Sequence, residues 1–426
     1  MTDPRRPLAA ECEAVYRAAL ARMFAMRLVD EALAAEPLPA GPVRVLALGK
    51  AARAMLEAAR ARLGDRVRDP LCVYPAGTPP PPPDVMAIPA GHPRPDAGSL
   101  RAGEAVAAWA ARDRATPVLV LLSGGGSALA IAPAEGVTAE EKADAIAALM
   151  RAGLTIQALN AVRKHLSRLK GGRLAALLAP APVRVLVLSD VPGDDLSVIA
   201  SGPLAPDPTT FSDALRLADG AGVALPTSVR ARLAAGARGE VDETPKPGDP
   251  RLATASHRLL AGPVDLARAA AAEARARGFD AEADPAPLVG DVEAVAARLA
   301  TWARANAGRG RRLLALGGEP TVRIPPAAPA PDGGRAQHLA LLAAIAIAGL
   351  PAAVLAAGSD GRDGPTEQAG AVVDGRTAMD ARAAGVDLAG ELAAARSGPA
   401  AVAIGAAIPR IDTGTHLCDL VMVAVG

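Results

Sequence analysis

Several stretches of the chain are dominated by aliphatic residues with no alternation: 43–48, 118–122, 183–188 and 352–357. Runs of this kind bounded by glycine read as strands buried on both faces of a sheet. Shorter runs at 71–74, 85–88, 313–316 and 421–425 read as further strands. Between them, apolar residues recur at three- and four-residue steps. That spacing predicts helices over 12–35, from 52 to 63, and over 99–112, 138–151, 156–170, 258–278, 291–304 and 336–348. Strands alternating with helices make both halves of the chain α/β. Residues 242–250, Asp-Glu-Thr-Pro-Lys-Pro-Gly-Asp-Pro, read as a linker. The expected domains are therefore 1–241 and 242–426.

Chemistry collects where the strands end. Ser123-Gly124-Gly125-Gly126-Ser127 follows the run 118–122. A tight turn would account for one glycine. Three in a row let the backbone approach a ligand, and free amides beyond a strand end attract anions. No Gly-Lys-Ser/Thr closes the loop, so it is not a Walker A motif. Lys50 follows the run 43–48 at the start of a helix, where a cation opposes the dipole unless an anion lies nearby. His92, in Gly91-His92-Pro93, lies beyond another strand as a ligand contact or a turn residue. Arg163, Ser167 and Lys170 lie at i, i+4 and i+7 of the helix over 156–170, on one face, with Gly171-Gly172 as its cap. Asp190, Asp194 and Asp195 crowd the end of the run 183–188, where acids serve as metal ligands, as general bases or simply in turns. The second half repeats the theme with Glu319, with Gly334-Arg335, and with Asp360 and Asp363. Ligands of open α/β sheets sit beyond the strand ends, so a cleft between the domains is the expected site.

Composition narrows the function. The formal net charge of +1 gives no ground for expecting nucleic acid or an anionic membrane as a partner. Cys12, Cys72 and Cys418 show neither metal spacing nor a disulfide framework, which suits a reducing cytoplasm. No signal peptide or membrane span is legible. Pro79–Pro83 and the proline-rich stretch 325–332 read as surface loops. Lysine occurs only at positions 50, 142, 164, 170 and 246, so a lysine kept in a glycine turn carries weight.

Taken together, LALGKAA at 46–52, GHPRPDAGS at 91–99, LSGGGSAL at 122–129, NAVRKHLSRLKGGRLA at 160–175, LSDVPGDDLSVIASGPLAPDPTTF at 188–211, LGGEPTV at 316–322, GGRAQHLAL at 333–341 and AAGSDGRDGPTEQAGAVVDG at 356–375 resemble the class II glycerate kinases. These are the glycerate 2-kinase family with a C-terminal MOFRL domain, here about 311–426. The resemblance implies an N-terminal Rossmann-like, mostly parallel sheet and a smaller C-terminal α/β domain. It also implies ATP- and Mg²⁺-dependent phosphorylation of D-glycerate at its 2-hydroxyl by a cytoplasmic monomer or homodimer. Carried over by motif, Lys50, Asp190 and Arg335 become the catalytic and orienting residues. Ser123, Gly124, Gly125, Gly126 and Ser127, which the resemblance puts in the same cleft as Asp360, are candidate contacts to substrate or phosphate, as are His92, Arg163, Lys170 and Gly334. Asp190, Asp194, Asp360 and Asp363 are the candidate metal ligands, and their division into base and ligands stays open. The family's usual Asn and Glu in GGRNQE are Ala336 and His338 here, and the usual Asn of TGTN is His416. Two rival readings are an NAD(P)H-dependent hydroxypyruvate reductase and a non-catalytic sugar-acid-binding protein. The reductase would need Gly-x-Gly-x-x-Gly after the first strand, where Gly-Lys-Ala-Ala-Arg-Ala stands instead.

Overall fold

The computed structural model of the protein describes residues 7–324 and 331–426, so most of the proline-rich stretch 325–332 lies outside the described residues. The chain forms two compact units. One comprises residues 29–189 and 194–260; the other comprises 1–28, 190–193 and 261–426.

The first unit is a Rossmann-like layer. Its strands are β1 (Val43–Leu48), β2 (Val67–Pro75), β3 (Met86–Ala90), β4 (Val118–Leu122), β5 (Val183–Leu188) and β6 (Ala255–Ala261), in the spatial order β3-β2-β1-β4-β5-β6. The strands β1 to β5 pair in parallel. β1 and β4 are buried at every position, as runs dominated by aliphatic residues lead one to expect. The chain lays β2 and β3 on one side of β1 and then returns to place β4 on the other. Strand order therefore reverses between β1 and β4, whose last residues, Leu48 and Leu122, are register partners. In open α/β sheets ligands bind at such a reversal. Arg44, a charged residue inside buried β1, is accommodated by bonds to the carbonyls of Trp109 and Asp113, each 2.5 Å, and by stacking 3.9 Å over the Trp109 ring.

The C-terminal unit is built on β7 (Asp280–Ala283), β8 (Arg312–Gly318), β9 (Ala352–Gly358), β10 (Gln368–Asp374), β11 (Ala407–Pro409) and β12 (Asp419–Val425), ordered β11-β10-β9-β12-β8-β7. This sheet is mixed. β12 lies antiparallel between β8 and β9, so those two point the same way and their last residues, Gly318 and Gly358, both stand opposite Asp419. The helices Val292–Asn306 and Arg335–Ala346 bury Leu299, Ala300, Leu339 and Ala343 against one face in a continuous aliphatic core.

Several elements differ from the sequence-based expectation. The helix expected over 12–35 is two, Pro7–Arg22 and Ala25–Ala35; apolar recurrence continues across the break, but Met26 is exposed. The first of them belongs to the C-terminal unit. The helix expected from 258 begins only at Pro263, because Ala255–Ala261 is β6, neighbouring β5 beyond the expected linker. The compact units thus divide near residue 260, whereas the linker pattern suggested 241. The helix expected over 156–170 ends at His165, and Gly172 starts the next helix, Arg173–Leu178, instead of capping the previous one. Arg163, Ser167 and Lys170 therefore do not share a helix face. No described helix is long and apolar enough to cross a membrane.

The junction of β1 and β4 yields a test. Gly49 has φ +132°, and a Cβ there would lie 2.5 Å from the carbonyl oxygen of Ser123. Gly49→Ala is expected to cost about 2–4 kcal/mol through combined strain and overpacking, read as a lower denaturation midpoint at unchanged m-value.

Candidate active site

In the Rossmann-like unit the turns after β1 and β4 are tied together. The Lys50 amide donates to the Gly124 carbonyl at 2.9 Å, the Ala51 amide to Ser123 Oγ at 3.0 Å, and the Ser123 amide to the Leu48 carbonyl at 3.0 Å. Ser123 is thus a buried strut between the turns, its hydroxyl taken by the Ala51 amide. Gly125 has φ +84°, and a Cβ on it would stand 3.0 Å from the His92 ring and 3.1 Å from Lys50 Cγ. Lys50 and His92 therefore line the loop on one side. The helix that follows, Gly126–Leu129, is a single turn, so the loop's attraction for anions rests on local amides and side chains more than on a helix dipole.

Beyond the loop, Ser127 Oγ meets Ser201 Oγ at 2.6 Å, and Ser201 Oγ donates to Asn160 Oδ1 at 3.2 Å. Arg163 Nη1 donates to the same Asn160 oxygen at 3.3 Å, and Lys170 Nζ donates to the Ser127 carbonyl at 2.9 Å. Losing the common helix face did not separate Arg163 from Lys170, because the chain folds back at Leu166 and brings both to the loop. Burial, and then the Arg163 charge, pull the Lys170 ammonium down to about 7. Asn160 and Ser201 carried no signal of their own, although both fall inside family-like segments. Asp194 lies in this unit at φ +55°, with a buried Oδ1 that has no hydrogen-bond partner.

In the C-terminal unit the acids converge where β8 and β9 end and β12 begins. Arg335, opening the helix Arg335–Ala346, donates to Asp419 through Nε at 2.6 Å and Nη2 at 3.3 Å, and to Glu319 through Nη1. Its fork is engaged by Asp419 and Glu319. Burial works against the guanidinium's charge, but the Asp419 and Glu319 carboxylates more than compensate and raise its pKa. Burial pushes Asp419 up, with Arg335 opposing. Asp363 accepts from the amides of Ala336 at 3.1 Å and Gln337 at 2.7 Å, so it caps this helix. Burial and the nearby Asp419 push it up to about 7. Gly334 makes room for it, since a Cβ there would run into the Asp363 carboxylate. Gly334 is thus packed against Asp363, whose carboxylate is taken up by the Ala336 and Gln337 amides. His416 stands between two acids, its Nε2 3.4 Å from Asp190 Oδ2 and its Nδ1 3.5 Å from Asp360 Oδ2. Cys418, at φ +62°, donates its thiol to the Asp190 carbonyl at 2.9 Å. His338 is buried, and burial lowers its pKa. Among the described residues no group of three or more His, Cys, Asp or Glu is arranged to hold a metal ion.

Residues 11–234 match a family described as a domain of unknown function, DUF4147, and residues 312–419 match the MOFRL family. A D-glycerate 2-kinase of Thermotoga maritima is 37% identical over 99% of both chains. A glycerate 2-kinase of Pyrococcus horikoshii is 36% identical over 90% of this chain and 88% of that one. A putative hydroxypyruvate reductase of Agrobacterium vitis is 35% identical over 97% of both. The crystal structure of a Thermotoga maritima glycerate kinase superposes with a TM-score of 0.86 at 35% identity, covering 97% of this chain and 98% of that one. The chain belongs to the glycerate kinase family that joins a DUF4147 region to a MOFRL domain.

The Arg335–Asp419 pair can be probed directly. Arg335→Lys keeps the charge but loses the planar fork. We expect a loss of about 1–3 kcal/mol in stability, read by denaturant melts, together with a fall in turnover larger than charge conservation suggests.

Proposed function

We propose that the protein transfers the γ-phosphoryl group of ATP to the 2-hydroxyl of D-glycerate, giving 2-phosphoglycerate and ADP. The observation that carries this reading is the lashing of Lys50 to the loop 123–127 at the strand-order reversal. Its context is a chain whose near-full-length relatives are named glycerate 2-kinases. Phosphoryl transfer asks a protein for alignment and charge stabilisation more than for covalent chemistry. In this reading Lys50 and the amides of Gly124, Gly125 and Gly126 contact phosphoryl oxygens. The Lys50 ammonium strengthens its contact as those oxygens gain charge, lowering the barrier more than it tightens binding. Asp190 accepts the proton leaving the 2-hydroxyl. Arg335 acts by fixing Asp419 and Glu319 around the acids.

A Mg²⁺ ion that arrives with phosphates needs only one or two protein carboxylates. Asp360, facing His416, fits that need and leaves Asp190 as the base; Asp363, spent on backbone amides, does not. When bound, the ion would neutralise phosphate charge. The Agrobacterium name points to reduction of hydroxypyruvate, but the turn after β1 lacks the glycines that let a backbone meet a dinucleotide pyrophosphate.

Incubation with D-glycerate and ATP, followed by phosphorus NMR, should give the 2-phospho signal. A dominant 3-phospho signal would remove the regiochemistry, and turnover only with hydroxypyruvate and NADH would replace the reading. Lys50→Met should lower kcat by about two to four orders of magnitude with a smaller effect on KM and an unchanged melt. Turnover within a few-fold of wild type would reduce Lys50 to a structural residue. Asp190→Asn should abolish turnover at saturating Mg²⁺, and near-normal kcat would make Asp190 a turn residue.

A further inference from the structure

Arg163 and Lys170 sit together beside the loop 123–127, and no acid among the described residues neutralises them. Lys170 is 3% exposed and Lys142, a third cation of the same group, is 6% exposed. Lys142 donates to the Leu166 carbonyl at 2.7 Å, Lys170 to the Ser127 carbonyl, and Arg163 to Asn160. Among the described residues no Asp or Glu pairs with any of the three. Elsewhere in this unit the chain does supply the partner: buried Lys164 has Asp207 at 3.2 Å. Burying a cation without a counter-charge is costly, and mutual repulsion adds to the cost. Burial and the neighbouring charges weaken the hold of Lys142 and Lys170 on their protons. A fold keeps such a group where an anion from outside completes it.

We propose that Arg163 and Lys170 form the subsite for the carboxylate of the sugar acid, with Ser127, Asn160 and Ser201 as its neutral hydrogen-bonding wall. The proposal rests on the glycerate kinase reading and assigns the residues that select an acid over a plain alcohol. Size and charge favour a carboxylate here over a nucleotide phosphate. A guanidinium fork and one ammonium match a two-oxygen anion, and a nearly fully buried lysine leaves little room for a hydrated triphosphate. The Lys50 side of the loop remains for the phosphoryl group. Ser127, Asn160 and Ser201 are joined in one hydrogen-bonded line whose hydroxyl and amide groups suit the hydroxyls of a short polyol acid.

The test uses the full-length protein with D-glycerate and with glycerol, in which a hydroxymethyl group replaces the carboxylate. Arg163→Gln should raise KM for D-glycerate by about ten- to a hundredfold, the loss of one charge-assisted contact. KM for ATP should stay within about twofold, and the preference for D-glycerate over glycerol should shrink by the same factor. Lys170→Met should do likewise, and guards against a variant that folds poorly. If the acid preference survives in both folded variants, or if KM for ATP rises instead, the subsite assignment is overturned while the kinase reading stands. If the wild type neither binds D-glycerate by calorimetry nor turns it over, the kinase reading falls and the carboxylate assignment falls with it.

Discussion

The contact on which the Rossmann-like unit's chemistry depends is between residue 49, which has no side chain, and Ser123. Gly49 lets the turn after β1 lie directly on the end of β4. Ser123 then spans the gap, donating its amide back to β1 and accepting the Ala51 amide on its hydroxyl. Without that lash, two short turns beyond neighbouring strands would move independently. With it, Lys50 and three glycines share one frame. The frame sits where strand order reverses, the place in a parallel sheet where neighbouring crossovers leave toward opposite faces and open a crevice. Position and chemistry thus come from one packing constraint.

The C-terminal unit solves a related problem with an antiparallel strand. β12 brings Asp419 to the two strand ends that carry Glu319 and Asp360, so acids accumulate at one edge. Such crowding is unfavourable unless it is shared out. Arg335 takes Asp419 and Glu319; the start of the helix Arg335–Ala346 takes Asp363; His416 stands between Asp190 and Asp360. The acids share three partners, and each carboxylate is directed by the one it faces. Ala336 in place of the family's usual Asn leaves the backbone amide that Asp363 uses untouched, so that substitution does not disturb the cap.

How much of this the sequence disclosed follows from what each feature depends on. Strands buried on both faces announce themselves, since nearly every position is aliphatic with no polar alternation; β1, β4, β5 and β9 are legible for that reason. Lys50, the glycine loop and Asp190 are legible because each directly follows such a run. Strand direction leaves no mark, so β12 could not be known to run against its neighbours. β6 has a half-exposed, mixed pattern that merges with the Ala/Arg helix after it. The end of the helix Ile156–His165 is hidden because Leu166 and Leu169, both buried, keep the helical spacing after the chain has turned. Partners far apart along the chain were not legible at all. Ser201 meets Ser127 and Asn160, and Asp419 meets Arg335, only through the fold.

The scarcity of lysine acquires a physical meaning in the structure. Arginine covers the surface of this chain, and its surface ion pairs are nearly all arginine pairs. The five lysines all lie in the Rossmann-like unit, and none of them is exposed. Lys142, Lys164 and Lys170 are buried and donate to a backbone carbonyl, to Asp207 and to a backbone carbonyl in turn. Lys246 braces Thr244 and Glu243. A guanidinium needs a flat slot and several acceptors, whereas an ammonium fits a compact site with one. Lysine therefore persists where arginine could not be packed. Lys164, His165, Asp207, Glu243 and Thr244 form a self-neutralising polar brace. Lys170, a few residues beyond Lys164 on the same fold-back, pairs with no such acid among the described residues. The contrast between a completed brace and an incomplete one within a single unit is what separates residues that hold the fold from residues that await a ligand.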